Sequence, residues 1–310
     1  MLNTSNRRPR FTRRAEVIPV LQITGRDIEI LRQVAVHRFL SSTHICKLVG
    51  GSPQQVLRRL QLLFHHGYLD RPRCQLDYFH EGGSRTMVYG LASRGAGHLR
   101  QKLDMPFQKM EWSGKPRKVG RLFLDHALLV SDVMVAVELA CRANANQKLL
   151  TPKELPLPES VRSGFSAPRW SVKINQNYKI GVIPDGFFGI ETTDGAGKQT
   201  RNYFFLEADR GTMPIVRKGM GQSSFHRKLL AYESTWEQNL HRSKFGLTRF
   251  RVLTVTTGPE RAGHLAEAAR QLQRGKGLFL FTDAESLAAS LNIFAHPWKT
   301  AHQGVTGTLE

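Results

Sequence analysis

Leu48-Val49-Gly50-Gly51-Ser52-Pro53-Gln54 constrains the fold more than any other stretch of the chain. Paired glycines end a helix, because glycine takes the left-handed C′ conformation without steric cost. Ser-Pro then begins another: serine suits the cap, and proline is pre-set for the first helical position, where its missing N–H costs nothing. Upstream, Ile45 and Leu48 give a short helix from about Ser42 its buried side. Downstream, Val56, Leu57, Leu60, Leu63 and Phe64 fall on one apolar stripe. A further helix of about residues 25–37 precedes both, opened by the capping-box spacing Thr24-Gly25-Arg26-Asp27 and carried by Ile28, Leu31, Val34 and Ala35.

The face opposite the stripe of the third helix carries Gln54, Gln55, Arg58, Arg59 and Gln61. Arginine forks to guanine edges, glutamine pairs with adenine edges, and both reach phosphates, as a major-groove recognition helix requires. After Gly67 the pattern turns extended: Cys74 to Phe79, a polar loop with Gly82-Gly83 and Arg85, then Thr86 to Leu91. That predicts a hairpin wing whose glycines supply positive φ and whose Arg85 meets a phosphate. Ser93 caps a fourth helix to about Leu103. Residues 24–103 resemble a winged helix-turn-helix domain, which implies double-stranded DNA as partner, with a homodimer on a palindrome as one common assembly. The plainer alternative is the same fold used for protein contacts.

Charge supports the nucleic-acid reading. Lys plus Arg number 45 against 25 acids, a net +20, and residues 1–118 hold 21 of the basic residues with 8 acids, a net +13. Such an excess favours polyanions, nucleic acid before an anionic membrane surface. Residues 1–23 form a basic arm in which Arg7, Arg8, Arg10, Arg13 and Arg14 are expected at phosphates through counterion release, or in a solvated tail. Residues 104–120 gather Pro106, Gly114, Pro116 and Gly120 with basic residues and predict a linker. Apolar content of 40% with 23% charged residues argues against disorder. Cys46, Cys74 and Cys141 are too few and too scattered for a disulfide framework or a zinc module and are expected as buried thiols of a reducing cytoplasm. The apolar stretch His126 to Ala140 is interrupted by Asp132 and Glu138, so no membrane span is expected, and the start lacks a secretory apolar core.

Residues 121–296 predict an α/β domain, with 297–310 as a tail. A long helix runs to about Arg142. Extended segments follow at Leu149–Leu155, Trp170–Ile174, Lys179–Ile190 and Tyr203–Ala208, then a helix at Ser224–Leu240, a strand at Phe250–Thr256, a helix at Glu260–Arg274, a strand at Leu278–Phe281 and a helix from Ala284. The skeleton is helix, three strands, helix, strand: αβββαβ, restriction-endonuclease-like. On a period of two, Glu207 and Asp209 share a face of their strand, and Asp185 from Pro184-Asp185-Gly186 stands on the neighbouring one. Three carboxylates there make a candidate site for Mg²⁺ or Mn²⁺, which would activate water against a phosphodiester. The alternative is that Glu207 and Asp209 pair with Arg210, Arg217 or Arg227.

This layout resembles the PD-(D/E)XK nuclease superfamily, with Asp209 where that superfamily carries its lysine. The resemblance implies Asp185, Glu207, Asp209 and Lys228 as catalytic candidates, Lys228 replacing the missing cation from the following helix and Lys218 standing as a weaker substitute. Taken end to end, the chain resembles the replication-relaxation family of plasmids and other mobile elements. Its features appear as Arg26-Asp27-Ile28-Glu29-Ile30-Leu31, His37-Arg38-Phe39-Leu40, Tyr89-Gly90-Leu91 before Gly95, Asp125-His126, Pro184-Asp185-Gly186, Glu207-Ala208-Asp209-Arg210-Gly211, and Lys228 with Tyr232. The resemblance implies a cytoplasmic bacterial DNA-binding protein of plasmid replication, DNA relaxation or mobilisation. Other replication, transfer or transposition proteins are then partners, and the second domain serves mainly assembly. The alternatives are an active Mg²⁺-dependent endonuclease targeted by the winged helix and an autoregulatory transcription repressor.

Overall fold

The computed structural model describes residues 11–13, 20–75, 86–103, 119–155, 157–161, 167–176, 178–219 and 221–309. The chain is mixed α/β and divides into two units, Met1–Ser131 and Asp132–Glu310. No helix among the described residues is long and apolar enough to cross a membrane.

The first unit runs α1 (Gly25–His37), β1 (Phe39–Ser41), α2 (Ser42–Val49), α3 (Pro53–His65), β2 (Leu69–Asp70), β3 (Val88–Leu91) and α4 (Ser93–Leu103). Thr24 and Asp27 form the expected capping box at α1. Gly50 and Gly51 take φ of 69° and 79° between α2 and α3. Ser52 makes no side-chain cap bond, so Pro53 at the first turn carries the start of α3. Leu31, Val34, Ile45, Val56, Leu60, Leu63 and Phe64 are buried as the stripes require; in α1 Ile30 is buried while the expected Ile28 and Ala35 are half-buried, and Leu57, expected in the stripe of α3, is 46% exposed.

A three-stranded antiparallel sheet in the order β1-β3-β2 closes this unit. In it β3 pairs with Leu69–Asp70, and the strand expected from Cys74 to Phe79 lies, beyond Gln75, outside the described residues. Pro72 has no N–H to give a ladder, and the chain turns there. The side chain of Gln75 substitutes: Val88 N–H donates to its Oε1 at 2.9 Å, and its Nε2 donates to Val88 O at 3.0 Å. The rest of the expected hairpin, with Gly82, Gly83 and Arg85, lies outside the described residues. Gly95 lets α4 approach β2, since a Cβ there would lie 2.3 Å from the carbonyl oxygen of Tyr68.

Helix α5 (Arg121–Ala143) begins in the first unit. Leu124 and Ala127 pack with Phe39 and Val88, and Ser131 Oγ donates to Phe39 O at 2.7 Å. The expected division before residue 121 is thus corrected for the first half of α5, because its apolar side completes the core around β1.

The second unit continues with β4 (Gln147–Leu150), β5 (Trp170–Lys173), β6 (Lys179–Val182), β7 (Gly186–Thr193), β8 (Gln199–Asp209), α6 (Phe225–Glu237), α7 (Leu240–Ser243), β9 (Arg251–Thr256), α8 (Pro259–Arg270), β10 (Phe279–Asp283), α9 (Ala284–Ala289), β11 (Trp298–Thr300) and β12 (Thr306–Gly307). Seven strands form one mixed sheet in the order β12-β11-β10-β9-β8-β7-β4. β7 runs antiparallel to β4 and β8, while β8, β9 and β10 are parallel. Phe205, stacked on Phe187 at 4.7 Å, meets Trp170, Tyr232 and Phe250 in the core beneath α6.

Two expectations change here. The single extended segment Lys179–Ile190 is two strands in different sheets, broken at Ile183-Pro184-Asp185, where proline cannot donate to a ladder. Residues 297–310, expected as a tail, supply β11 and β12, anchored by fully buried Trp298 and Ala301.

Candidate functional site

Two groups of side chains carry the chemistry expected of the sequence, one in each unit. On α3, Gln54, Gln55 and Arg58 are exposed, with Val56 and Leu60 buried beneath them. Gln55 Oε1 accepts a bond from Arg26 Nη1 at 3.2 Å, which adds a guanidinium from α1 to the same neighbourhood. Arg59 is engaged inward: its Nε and Nη2 donate to the fully buried carboxylate of Asp27 at 2.8 and 2.5 Å, and Nη2 also reaches Gln22 O. Burial alone would push Asp27 up, but the bonds from Arg59 and Thr24 outweigh it and hold its pKa below the ordinary value.

Arg13 is likewise a staple. It donates to Phe64 O and Leu69 O, pairs with Asp70 and lies over the Phe64 ring. Arg59 and Arg13 are therefore occupied by carboxylates and carbonyls of their own unit, and of the polar face expected on α3, Gln54, Gln55, Arg58 and Gln61 are exposed. Arg7, Arg8, Arg10, Arg14 and Arg85 lie outside the described residues.

In the second unit the carboxylates converge on cations. Glu207 and Asp209 point from β8 toward α6 and α8, as alternation requires. Glu207, 2% exposed, accepts from Lys228 Nζ at 2.5 Å through Oε2 and from Tyr232 OH at 2.6 Å through Oε1. Lys228 and Tyr232 lie one turn apart on α6, the spacing that places both side chains on one face. Asp209 accepts from Arg261 Nε at 2.8 Å, from Thr256 Oγ1 at 3.0 Å and from Gly211 N–H at 3.3 Å. Asp185 directly precedes β7, and its Oδ2 takes the N–H of Ala208 at 2.9 Å, a ladder-like bond made by a side chain.

Burial pushes Glu207 up; Lys228 opposes that shift and Asp185 adds to it. Burial also works against the charged form of Lys228, but Glu207 and Asp185 outweigh it and hold the lysine above its ordinary range. Tyr232 is pushed well above its usual pKa by burial and by Glu207, so it remains a donor.

The expected metal trio does not assemble as a cage. Both oxygens of Glu207 face donors, Asp209 is turned to Arg261, and among the described residues no three His, Cys, Asp or Glu side chains could share a metal ion. The carboxylates of Glu207 and Asp209 are held instead by lysine, tyrosine and arginine donors of the protein itself. Lys228 does reach Glu207. Arg261 is the residue that sequence reasoning missed: Asp209 takes it from 52 positions downstream, while Arg217 bonds to Gln222 and Arg227 to Gly221 O.

The family model described as replication-relaxation matches residues 31–249 of the chain. No curated protein and no solved structure matches it.

Proposed function

The chain belongs to the replication-relaxation family, and on that premise we propose that it binds double-stranded DNA of a plasmid or other mobile element through α3, in replication, DNA relaxation or mobilisation. The observation that carries the reading is the outward row Gln54, Gln55 and Arg58 on a helix whose inner face is core and whose flank is fixed by Arg59 on Asp27. The order α1-β1-α2-α3-β2-β3-α4, with the sheet β1-β3-β2, supports a winged helix-turn-helix in which α3 enters the major groove. The net +13 of residues 1–118 supplies the phosphate attraction. In a mobility-shift assay on plasmid DNA, Arg58→Ala weakens binding about tenfold, within the range of one arginine contact. Unchanged affinity removes α3 from the interface.

The second unit serves as a nuclease-like scaffold for assembly or for contacts with other replication, transfer or transposition proteins. The run β4-β7-β8-β9, antiparallel until the last pair, supports the αβββαβ skeleton, and Lys228 and Arg261 stand where a divalent cation would need free carboxylate oxygens. One observation favours endonuclease activity as a second reading: Lys228 reaches Glu207 from α6, with Asp185 acting on both charges. Supercoiled plasmid incubated with protein and Mg²⁺ or Mn²⁺ decides between them. The scaffold reading expects intact plasmid; nicking that disappears in Asp185→Ala establishes the endonuclease.

A further inference from the structure

Where α6 runs into α7, basic and aromatic side chains gather that neither the α3 face nor the acidic centre uses. A cavity of about 380 Å³ lies there, lined in part by Trp236, His241, Arg242, Arg249 and Arg274. From Gln238 to Arg251 the sequence holds Arg242, Lys244, Arg249 and Arg251 and no acid. Arg242 and Arg249 are exposed, and neither has a carboxylate partner among the described residues. Arg274 meets Glu237 at 3.1 Å, but both side chains are largely in solvent, where such a pair is weak.

Trp236 is 39% exposed, while Trp170 and Trp298 are buried, so part of this side chain lies in solvent at the cavity that Arg242 and Arg249 also line. Gly275, at φ +65°, passes close to that ring: a Cβ there would lie 3.7 Å from its Cε3. His241 lines the same cavity at 2% exposure, and its Nδ1 has no hydrogen-bond partner among the described residues. Burial lowers the pKa of that imidazole, which keeps it neutral.

Unpaired guanidinium groups recognise phosphate, and a partly exposed indole offers a stacking face. Together they are the chemistry that holds a single nucleic-acid strand, whose bases are free to stack as those of a duplex are not. We propose that this corner of the second unit binds a segment of single-stranded nucleic acid, with phosphates at Arg242 and Arg249 and a base on Trp236. The site lies apart in sequence from α3 and goes beyond the duplex reading.

The test titrates full-length protein with a labelled oligothymidylate, a duplex and thymidine monophosphate at two salt concentrations. Arg242→Glu/Arg249→Glu and Trp236→Ala each weaken the single strand about tenfold, the scale of one stacked base or two phosphate contacts, and leave duplex affinity unchanged. Arg58→Glu gives the opposite pattern. Single-strand affinity that survives both second-unit variants overturns the site, and so does equal loss of duplex binding in them. A mononucleotide that binds as tightly as the oligomer overturns the assignment to a strand. Circular dichroism identical to the parent's confirms that the variants are folded.

Discussion

Arg59 and Asp27 join two helices by a double hydrogen bond: Nε to Oδ1 at 2.8 Å and Nη2 to Oδ2 at 2.5 Å tie the flank of α3 to the first turn of α1. The same carboxylate closes the capping box with Thr24 and is fully buried. Removing the arginine leaves that charge without its cation, which is far costlier than deleting an exposed residue. Arg59→Ala is expected to cost about 3 kcal/mol of stability. Arg58→Ala, one position earlier and exposed, stays within about 0.5 kcal/mol. Urea midpoints at constant slope separate the two.

The same pair sets an acid limit. Because the folded pKa of Asp27 is depressed, its contribution is complete above the unfolded value near 3.8 and is lost as pH falls through the folded one. Between pH 6 and pH 2 the parent is expected to lose more stability than Asp27→Asn, with the difference confined below about pH 4. Parallel curves would remove Asp27 from acid unfolding.

Lys228 and Glu207 make the corresponding pair in the second unit. Lys228→Met strands a buried carboxylate and is expected to cost about 3 kcal/mol. Adding Glu207→Leu removes the charge that was stranded and restores most of that loss, so the two changes are strongly non-additive. Additive losses in thermal unfolding would mean that the pair is not coupled.

What the sequence made legible follows from the range of each interaction. Caps and stripes are local, so α1 and α3 could be placed from Thr24-Asp27, Pro53 and the apolar spacing. β1 and β2 have three and two residues, too few to display a period. Arg58 and Arg59 are indistinguishable as neighbours on a helix; the buried carboxylate that claims one of them lies 32 positions away. The face shared by Glu207 and Asp209 follows from alternation along β8. Their neutralisation by Lys228 and Arg261 depends on where α6 and α8 cross the sheet, which spacing does not encode. Proline at 184 signalled a break that the apolar run around it concealed.

The C-terminal strands provide a further test of packing. Trp298 is fully buried in β11, beside β10. Trp298→Ala is expected to destabilise the second unit by about 4 kcal/mol, in the range of large-to-small aromatic truncations. A change below about 1 kcal/mol would show that β11 adds little to the sheet.

The most direct test of the account is the salt dependence of duplex binding by the parent and by Arg58→Glu, followed by fluorescence anisotropy. A lysine or arginine lost from a phosphate contact lowers the slope of log affinity against log salt by about 0.9. The account predicts weaker binding and a shallower slope for Arg58→Glu with an unchanged urea midpoint. The same affinity and the same slope in both proteins would contradict it.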